Sequence, residues 1–521
     1  MSGDAFQGFA QAMMPTSLVA TAVGSLLGII VGMIPGLTIS TGIIVLLPLT
    51  FVMDPATSIA LLLGLYVGGM MGGSFAAILL NIPGTPSASA TGMDGYPMAM
   101  RGEAGRALGI AVTASFIGGM FSFFCLFFIA PVLAEFAINF QTADMFSLLF
   151  FGLVVICTFA SRSLIKGMIS AVIGLMIATI GQDPVMGTMR FTFGSVNMMS
   201  GVHFLTALIG LFAIPQLVDN MLRPGLHAQI VRLPPGFRSI LPKLSDLKQI
   251  AMPVSIGSLT GVFLGVLPGA GGPIAAFLSY EYTRKMSPDP ESFGKGTVSG
   301  IAAPESANNA VTGGALIPMM TLGIPGDPVT AILIGALIIH GLAPGPLMFI
   351  EHGDFGYGVI FSFLCANIFN LVIAFAGLRL LVRLLHMPKA FLMPTIAILC
   401  VIGSYSLRNN LFDVYVMFGF GLLGLAMRWA ALPVVPLLIA LVLGENIENQ
   451  LRVALTASKG DISIFFTSTY SPIFLALAAL SIAWALVSKM KREPANTDPV
   501  NQRQHTNRAA GNPAVEPGDR K

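Results

Sequence analysis

Apolar stretches close to bilayer length recur along the whole chain, and no other feature of the sequence limits its fold so tightly. They include Leu18 to Ile34, Leu108 to Phe136, Met145 to Ala160, Leu164 to Ile180, Val202 to Val218 and Val359 to Leu385. A helix needs roughly 20 apolar residues to cross the hydrocarbon core. Lipid offers no hydrogen bonds to the backbone, so only helices or closed barrels can span it. These runs are continuous rather than alternating, which excludes a barrel. The chain therefore reads as an all-α polytopic membrane protein of about 11–12 transmembrane helices with shorter, broken apolar pieces between them. Only 10% of its residues are charged and its mean hydropathy is +0.83, whereas soluble domains carry roughly 25% charge. A water-facing surface cannot be built from this composition.

Charge matters here through its placement. Lys and Arg number 27 and Asp and Glu 24, a net +3 that gives no footprint for nucleic acid. Residues 1–17 hold no Lys or Arg and a single acid, Asp4, so they lack the basic start of a secretory signal and lead directly into a retained helix. Arg223, Arg232, Arg238, Lys243 and Lys248 crowd the longest internal polar loop, and Lys489, Lys491 and Arg492 follow the last apolar run. Both regions are expected on the cytoplasmic side, and the amino terminus on the other. The resulting organisation is a short amino-terminal segment (1–17), a first membrane repeat (18–219), a basic cytoplasmic loop (220–248), a second membrane repeat (249–488) and a polar, disordered cytoplasmic tail (489–521).

The two membrane repeats are read from matching motifs. Gly24-Ser25-Leu26-Leu27-Gly28 with Gly32, Pro35 and Gly36 recurs as Gly257-Ser258-Leu259-Thr260-Gly261 with Gly265, Pro268 and Gly269, a constant offset of 233 residues. Gly72-Gly73 followed by Ile82-Pro83-Gly84-Thr85-Pro86 recurs as Gly313-Gly314 followed by Ile324-Pro325-Gly326-Asp327-Pro328, at an offset of 242 from Ile82 to Ile324. Pro removes a backbone donor and Gly permits positive φ, so Pro-Gly inside an apolar run breaks a helix. An isolated Pro-Gly pair is ordinarily a surface turn or a kink. Matched breaks in two halves instead point to re-entrant or broken helices around a transporter's binding site. Because repeat one follows an uncharged terminus and repeat two follows the basic loop, the halves are expected to be inverted.

Polar residues cluster at these breaks. Glu305, Ser306, Asn308 and Asn309 follow Pro304, and such a set could bind a cation or a polar solute. An intramembrane carboxylate is costly without a function, although Pro304-Glu305 could also simply start a helix. Asn81, Pro83, Gly84, Thr85 and Ser87 in the first half, and Gly269, Gly271, Gly272, Ser306, Asn308, Asn309, Pro325, Gly326 and Asp327 in the second, are the candidate solute-binding residues. The first-half cluster brings no charge before Asp94. Two opposed helix amino termini would suit a carboxylate without Arg or Lys. Glu305, Asn309 and Thr38 are the candidates for cation coupling, with Thr38 first a helix cap. Asp94-Gly95-Tyr96-Pro97, with Arg101, Glu103 and Arg106, reads as a polar turn at the membrane face. Lone His203 and His340, and Cys125, Cys157, Cys365 and Cys400, read as packing residues. No catalytic group, metal site or cofactor is expected beyond a coupling sodium ion or proton. Gly294-Lys295 does not fit a Walker A loop and no His-Glu-x-x-His occurs, which argues against ATP-driven pumping and zinc proteolysis. A secondary transporter, a passive channel and, more remotely, an intramembrane enzyme stay open on these residues alone.

At these same positions the sequence resembles the large membrane subunit of tripartite tricarboxylate transporters, the TctA family. The resemblance runs through residues 28–36, 81–86, 94–98, 102–109, 268–273, 303–309 and 323–326. It implies a bacterial inner-membrane secondary transporter that takes up citrate-like or other carboxylates under a cation gradient. It also implies two partners, a small membrane subunit and a periplasmic solute-binding protein. Ser299 stands where the family leads one to expect Glu, and Asp327-Pro328 where Ser and Gly are expected. An acid near the site would repel a carboxylate unless neutralised, so a solute other than citrate is expected.

Overall fold

The computed structural model describes residues 2–34, 36–159, 163–183, 186–222, 240–384 and 389–490. Pro35, the loop arginines Arg223, Arg232 and Arg238, and the tail from Lys491 lie outside the described residues. The first half comprises α1 (Ser2–Ala12), α2 (Pro15–Met33), α3 (Ile39–Thr50), α4 (Pro55–Leu80), α5 (Ala88–Met98), α6 (Ala104–Ala137), α7 (Thr142–Phe159), α8 (Leu164–Ala178) and α9 (Phe204–Leu222). The second comprises α10 (Leu244–Val266), α11 (Gly271–Met286), α12 (Val298–Leu322), α13 (Pro328–Ile339), α14 (Met348–Glu351), α15 (Gly353–Leu384), α16 (Lys389–Ser406), α17 (Leu411–Trp429), α18 (Val434–Ala457), α19 (Ile464–Thr467) and α20 (Ser471–Met490). A two-residue antiparallel pairing, Gly181–Gln182 with Met189–Arg190, is the β-structure among the described residues. Nine stretches of the described residues are long and apolar enough to cross a bilayer, and shorter apolar helices, α3, α8 and α13 among them, stand beside them.

Several helix starts are set locally. Proline opens α2, α4 and α13 at positions where its missing N–H is no loss. Asp54 caps α4 by accepting from Thr57 N at 2.9 Å, and Thr38 caps α3 by accepting from Thr41 N at 3.1 Å.

The duplication is visible in the packing. Gly24, Gly28 and Gly32 of α2 lie against the backbone of Leu61, Leu65 and Gly69 on α4, each 37 residues further along. Gly257, Gly261 and Gly265 of α10 lie against Ala303, Ala307 and Val311 on α12, each 46 further along. A constant offset means that each pair of helices is parallel. Helices in lipid gain little from apolar burial against one another, so close backbone approach over small residues holds such seams. The longer helices repeat the pattern, with α6 packed along α12 and α15 along α4. Phe123 and Phe127 of α6 meet Phe361 and Tyr357 of α15 to close the bundle between them.

The same registers establish the inversion. Tyr66 of α4 bonds Asp327 beyond the end of α12, whereas Met70, one turn later, bonds Asn308 in its middle. Progress along α4 is therefore regress along α12, and the two run antiparallel. Since α2 runs parallel to α4 and α10 parallel to α12, the two halves have opposite orientation. Helices α4 and α12 sit at the centre, apolar and buried almost all the way round.

Candidate functional site

Both central helices end in the same way. Asn81 closes α4 with a left-handed backbone, φ 55°, and Gly323 closes α12 at φ 69°. The chain then unwinds through residues 82–87 or 324–327 before α5 or α13 begins. Gly84 presses on the carbonyl of Gly32 and on Gly73, and Gly326 on the carbonyl of Gly265 and on Ala315. A side chain at either glycine would collide with backbone. Gly269 N donates to Gly326 O at 2.8 Å, joining the two breaks of the second half.

Glu305 lies inside α12, fully buried, with helix on both sides of Pro304. The helix-start reading of Pro304-Glu305 is thereby excluded, because the helix begins at Val298. Its carboxylate accepts from Thr91 Oγ1 of α5 at 2.6 Å and from Ser115 Oγ of α6 at 2.9 Å, with Ser74 of α4 beside them. Among the described residues no Lys, Arg or His forms an ion pair with it. Hydroxyl groups thus supply the side-chain hydrogen bonds to a carboxyl group away from water, a burial that costs several kcal/mol for an ion without a countercharge.

Asp327 is the N-cap of α13. Its Oδ2 accepts from Tyr66 Oη at 2.5 Å and its Oδ1 from Thr330 N at 2.8 Å and Thr330 Oγ1 at 2.9 Å. Thr330 Oγ1 also lies 2.9 Å from Asp327 N, which completes a capping box. The acid's acceptor capacity is taken up by the protein, and its charge faces the positive end of α13.

Other predicted residues fall into two groups. Asn308 Nδ2 donates to Met70 O at 3.0 Å and Asn309 Nδ2 to Glu305 O at 3.2 Å, while the Oδ1 of each is buried without a partner. Thr85 Oγ1 is likewise buried and unpartnered, packed against Gly73. Ser87 Oγ and Asn308 Oδ1 both flank Gly272, where a Cβ would lie 2.6 and 2.9 Å from them. Ser87, Gly272 and Asn308 therefore converge, drawn from three segments, with Thr85 two residues before Ser87.

The second group stands apart. Ser306 donates to Ala303 O at 3.0 Å and faces the glycine seams of α10 and α6 through Gly257 and Gly118. Thr38 bonds Thr41 at 2.8 Å and Gln216 of α9 at 3.4 Å, none of them partners of Glu305. Asn81 and Pro83 are exposed, Pro325 is buried, Gly269 abuts Ile156, and Gly271, at φ 63°, would bring a side chain only into ordinary contact with Pro273.

Asp94 departs from its reading as a surface turn. It sits in α5 with no exposure and accepts from Tyr280 Oη at 2.8 Å and from the N–H groups of Gly294, Gly296 and Thr297 at 3.0, 2.7 and 2.8 Å. Four donors outweigh the local turn preference of Asp-Gly. Arg101 adds bonds to the carbonyls of Lys295 at 2.9 Å and Gly296 at 2.5 Å, pinning the α11–α12 loop to the first half.

Tyr66, Thr91 and Ser115 were missed in the sequence. Tyr66 could have been found by extending the second offset, since 242 residues separate it from Asn308. Two clefts of about 360 and 410 Å³ open elsewhere, one beside Arg101, Arg106 and Lys295 and one beside Arg190, His203 and Glu448, and none of the Glu305 or Asp327 partners lines them.

Known proteins resemble this chain, one of them over most of its length. A protein of Agrobacterium vitis described as "Uncharacterized 52.8 kDa protein in TAR-I ttuC' 3'region" is 37% identical over 484 residues, covering 93% of this chain and 96% of that one. A second from the same organism, "Uncharacterized protein in TAR-II ttuC' 3'region", is 38% identical over 231 residues, covering 44% of this chain and 96% of that one. No solved structure matches. The family model described as "Tripartite tricarboxylate transporter TctA family" matches residues 18–439. The chain belongs to the tripartite tricarboxylate transporter TctA family, a family of membrane transporters.

Proposed function

We propose that this chain is the large permease subunit of a tripartite secondary transporter that imports carboxylates by alternating access under a cation gradient. One observation carries the reading: two inverted, broken helices bring Ser87, Gly272 and Asn308 together, two residues beyond the unpartnered Thr85, in the same bundle as the buried Glu305 with its hydroxyl donors. Irregular backbone at membrane depth and unpartnered polar atoms suit a solute site at the repeat interface. In this reading Thr85, Ser87, Gly84 and Asn308 face the carboxylate. Glu305 and Asn309 hold the coupling sodium ion or proton, because a buried carboxyl group without a protein cation is stabilised by a mobile one.

The periplasmic solute-binding protein and the small membrane subunit complete the system. The bacterial inner membrane is its location, with the Arg101–Lys295 face, the 220–248 loop and the carboxy-terminal tail in the cytoplasm. Reconstitution of the chain with both partners, followed by uptake of labelled mono-, di- and tricarboxylates with and without sodium and proton gradients, tests the reading. Accumulation that requires a gradient is the expected result. Equilibration without any gradient dependence would make the chain a channel, and no carboxylate movement at all would sink the proposal.

A further inference from the structure

The inverted repeat sets two pairs of residues opposite one another. Thr85 corresponds to Asp327 and Tyr66 to Asn308, each 242 residues apart. The two corners so defined are finished differently. In the second half the corner is complete, because the carboxylate of Asp327 receives Tyr66 Oη, Thr330 N and Thr330 Oγ1 and caps α13. In the first half the counterpart residue is Thr85, which brings no charge. There Thr85, 5% exposed, and Asn308, with no exposure, each bury a side-chain oxygen, Oγ1 and Oδ1, that has no partner. Ser87 gives α5 no side-chain cap. Buried polar atoms left in this way are rare in folded proteins and ask for an explanation.

From this asymmetry, and on the carboxylate-transport reading above, we infer that the solute's carboxylate completes the first corner as Asp327 completes the second, so that the site accepts one carboxylate and Asp327 stands where a second would go. The hydroxyls of Thr85 and Ser87 donate to the bound carboxylate at the head of α5, where the helix end also favours negative charge. Asn308 Nδ2 is held by Met70 O, so the amide presents Oδ1, an acceptor. It is satisfied by a donor on the solute, a hydroxyl beside the carboxyl group. Gly272 lies so close to Ser87 Oγ and Asn308 Oδ1 that any side chain there would come within 3 Å of both, so glycine at 272 keeps these two polar atoms uncovered by a side chain. A second solute carboxylate directed at the twin corner would meet the Asp327 carboxylate, which among the described residues has no ion-pair partner. The substrate class that fits is a small 2-hydroxy monocarboxylate, and Asp327 is the residue that excludes its di- and tricarboxylate relatives.

Direct binding to the purified full chain in lipid nanodiscs tests this without the selectivity of a solute-binding protein. The probes are lactate, propionate, malate and citrate, read by calorimetry and by the shift in melting temperature. The wild-type chain should bind lactate at least tenfold tighter than malate or citrate and at least threefold tighter than propionate. Asp327→Ser should raise malate affinity relative to lactate at least tenfold, and Thr85→Val should weaken lactate at least tenfold. If Asp327→Ser does not fold, Asp327→Asn, which keeps an acceptor for Thr330 N, carries the same test. Wild-type binding of malate or citrate as tight as that of lactate would overturn the inference while leaving carboxylate transport intact. So would an unchanged malate-to-lactate ratio in a folded Asp327 variant. Absence of binding to all four probes would overturn both.

Discussion

Thr91 on the first-half helix α5 donates a 2.6 Å hydrogen bond to Glu305 on the second-half helix α12. One inverted half therefore holds the only carboxyl group of the Pro304–Asn309 cluster through a hydroxyl of the other. Any movement of α5 against α12 must break or remake that bond, which makes it a natural reporter of coupling.

Glu305→Gln keeps the shape and loses the charge. Gradient-driven uptake should fall at least tenfold, while exchange of internal for external solute, which needs no net cation movement, should fall less than threefold. Transport assays in proteoliposomes with the partner subunits separate the two. Equal loss in both modes would move coupling away from Glu305.

Asp94→Ala removes the acceptor for Tyr280 and three backbone N–H groups. Each unsatisfied buried donor costs about 1–3 kcal/mol, and water reaching the loop recovers part of that, so a loss on the order of 3 kcal/mol is expected. Thermal unfolding of the purified chain measures it. Limited proteolysis should cut first within residues 287–297.

Gly28→Val and Gly261→Val put side chains into the carbonyls of Leu65 and Ala307. Both should lower the yield of folded protein in detergent severely, by mechanisms that cost more than about 3 kcal/mol in packed interiors. Gly419→Ala on α17, where nothing lies within 4 Å, should be neutral or slightly stabilising. Fluorescence-detected size exclusion compares the three. Equal behaviour would mean that the seams do not hold the helices.

Lys295 and Asp461 report on the two membrane faces. The α6 helix ties Arg101 and Arg106, at its beginning, to Gly296 and Asp246 and packs Phe136, at its end, on Tyr470. Its 34 residues span about 51 Å at 1.5 Å per residue, more than a bilayer core. Cysteines placed at Lys295 and Asp461 should label with an impermeant reagent from opposite sides, Lys295 from the cytoplasm. Labelling from one side would refute the topology.

What could be read beforehand followed the range over which each signal acts. Gly24, Gly28 and Gly32 and their partners 233 residues on were legible because small residues at helical spacing leave a mark in the sequence itself, and the seams they form repeat it. The Thr38 cap was legible because its partner Thr41 is three residues away. Asp94 was misread because the local Asp-Gly-Tyr-Pro suggests a turn, whereas its donors come from Tyr280 and residues 294–297. Glu305 was left between two readings, since a helix that continues through Pro304 needs neighbours that only the fold supplies. Ser306, adjacent to it, points into the α10 and α6 seams, because one residue turns a helix by about 100°.

The crossed packing of α6 on α12 and of α15 on α4 has a historical consequence. A single half would expose the flank of its central helix and could not close a bundle alone. The ancestor of the duplicated unit must have inserted into the membrane in both directions and paired with its own inverted copy before one gene encoded both. A chain severed between residues 222 and 240 should reassemble from its two fragments only when they are made in the same cell.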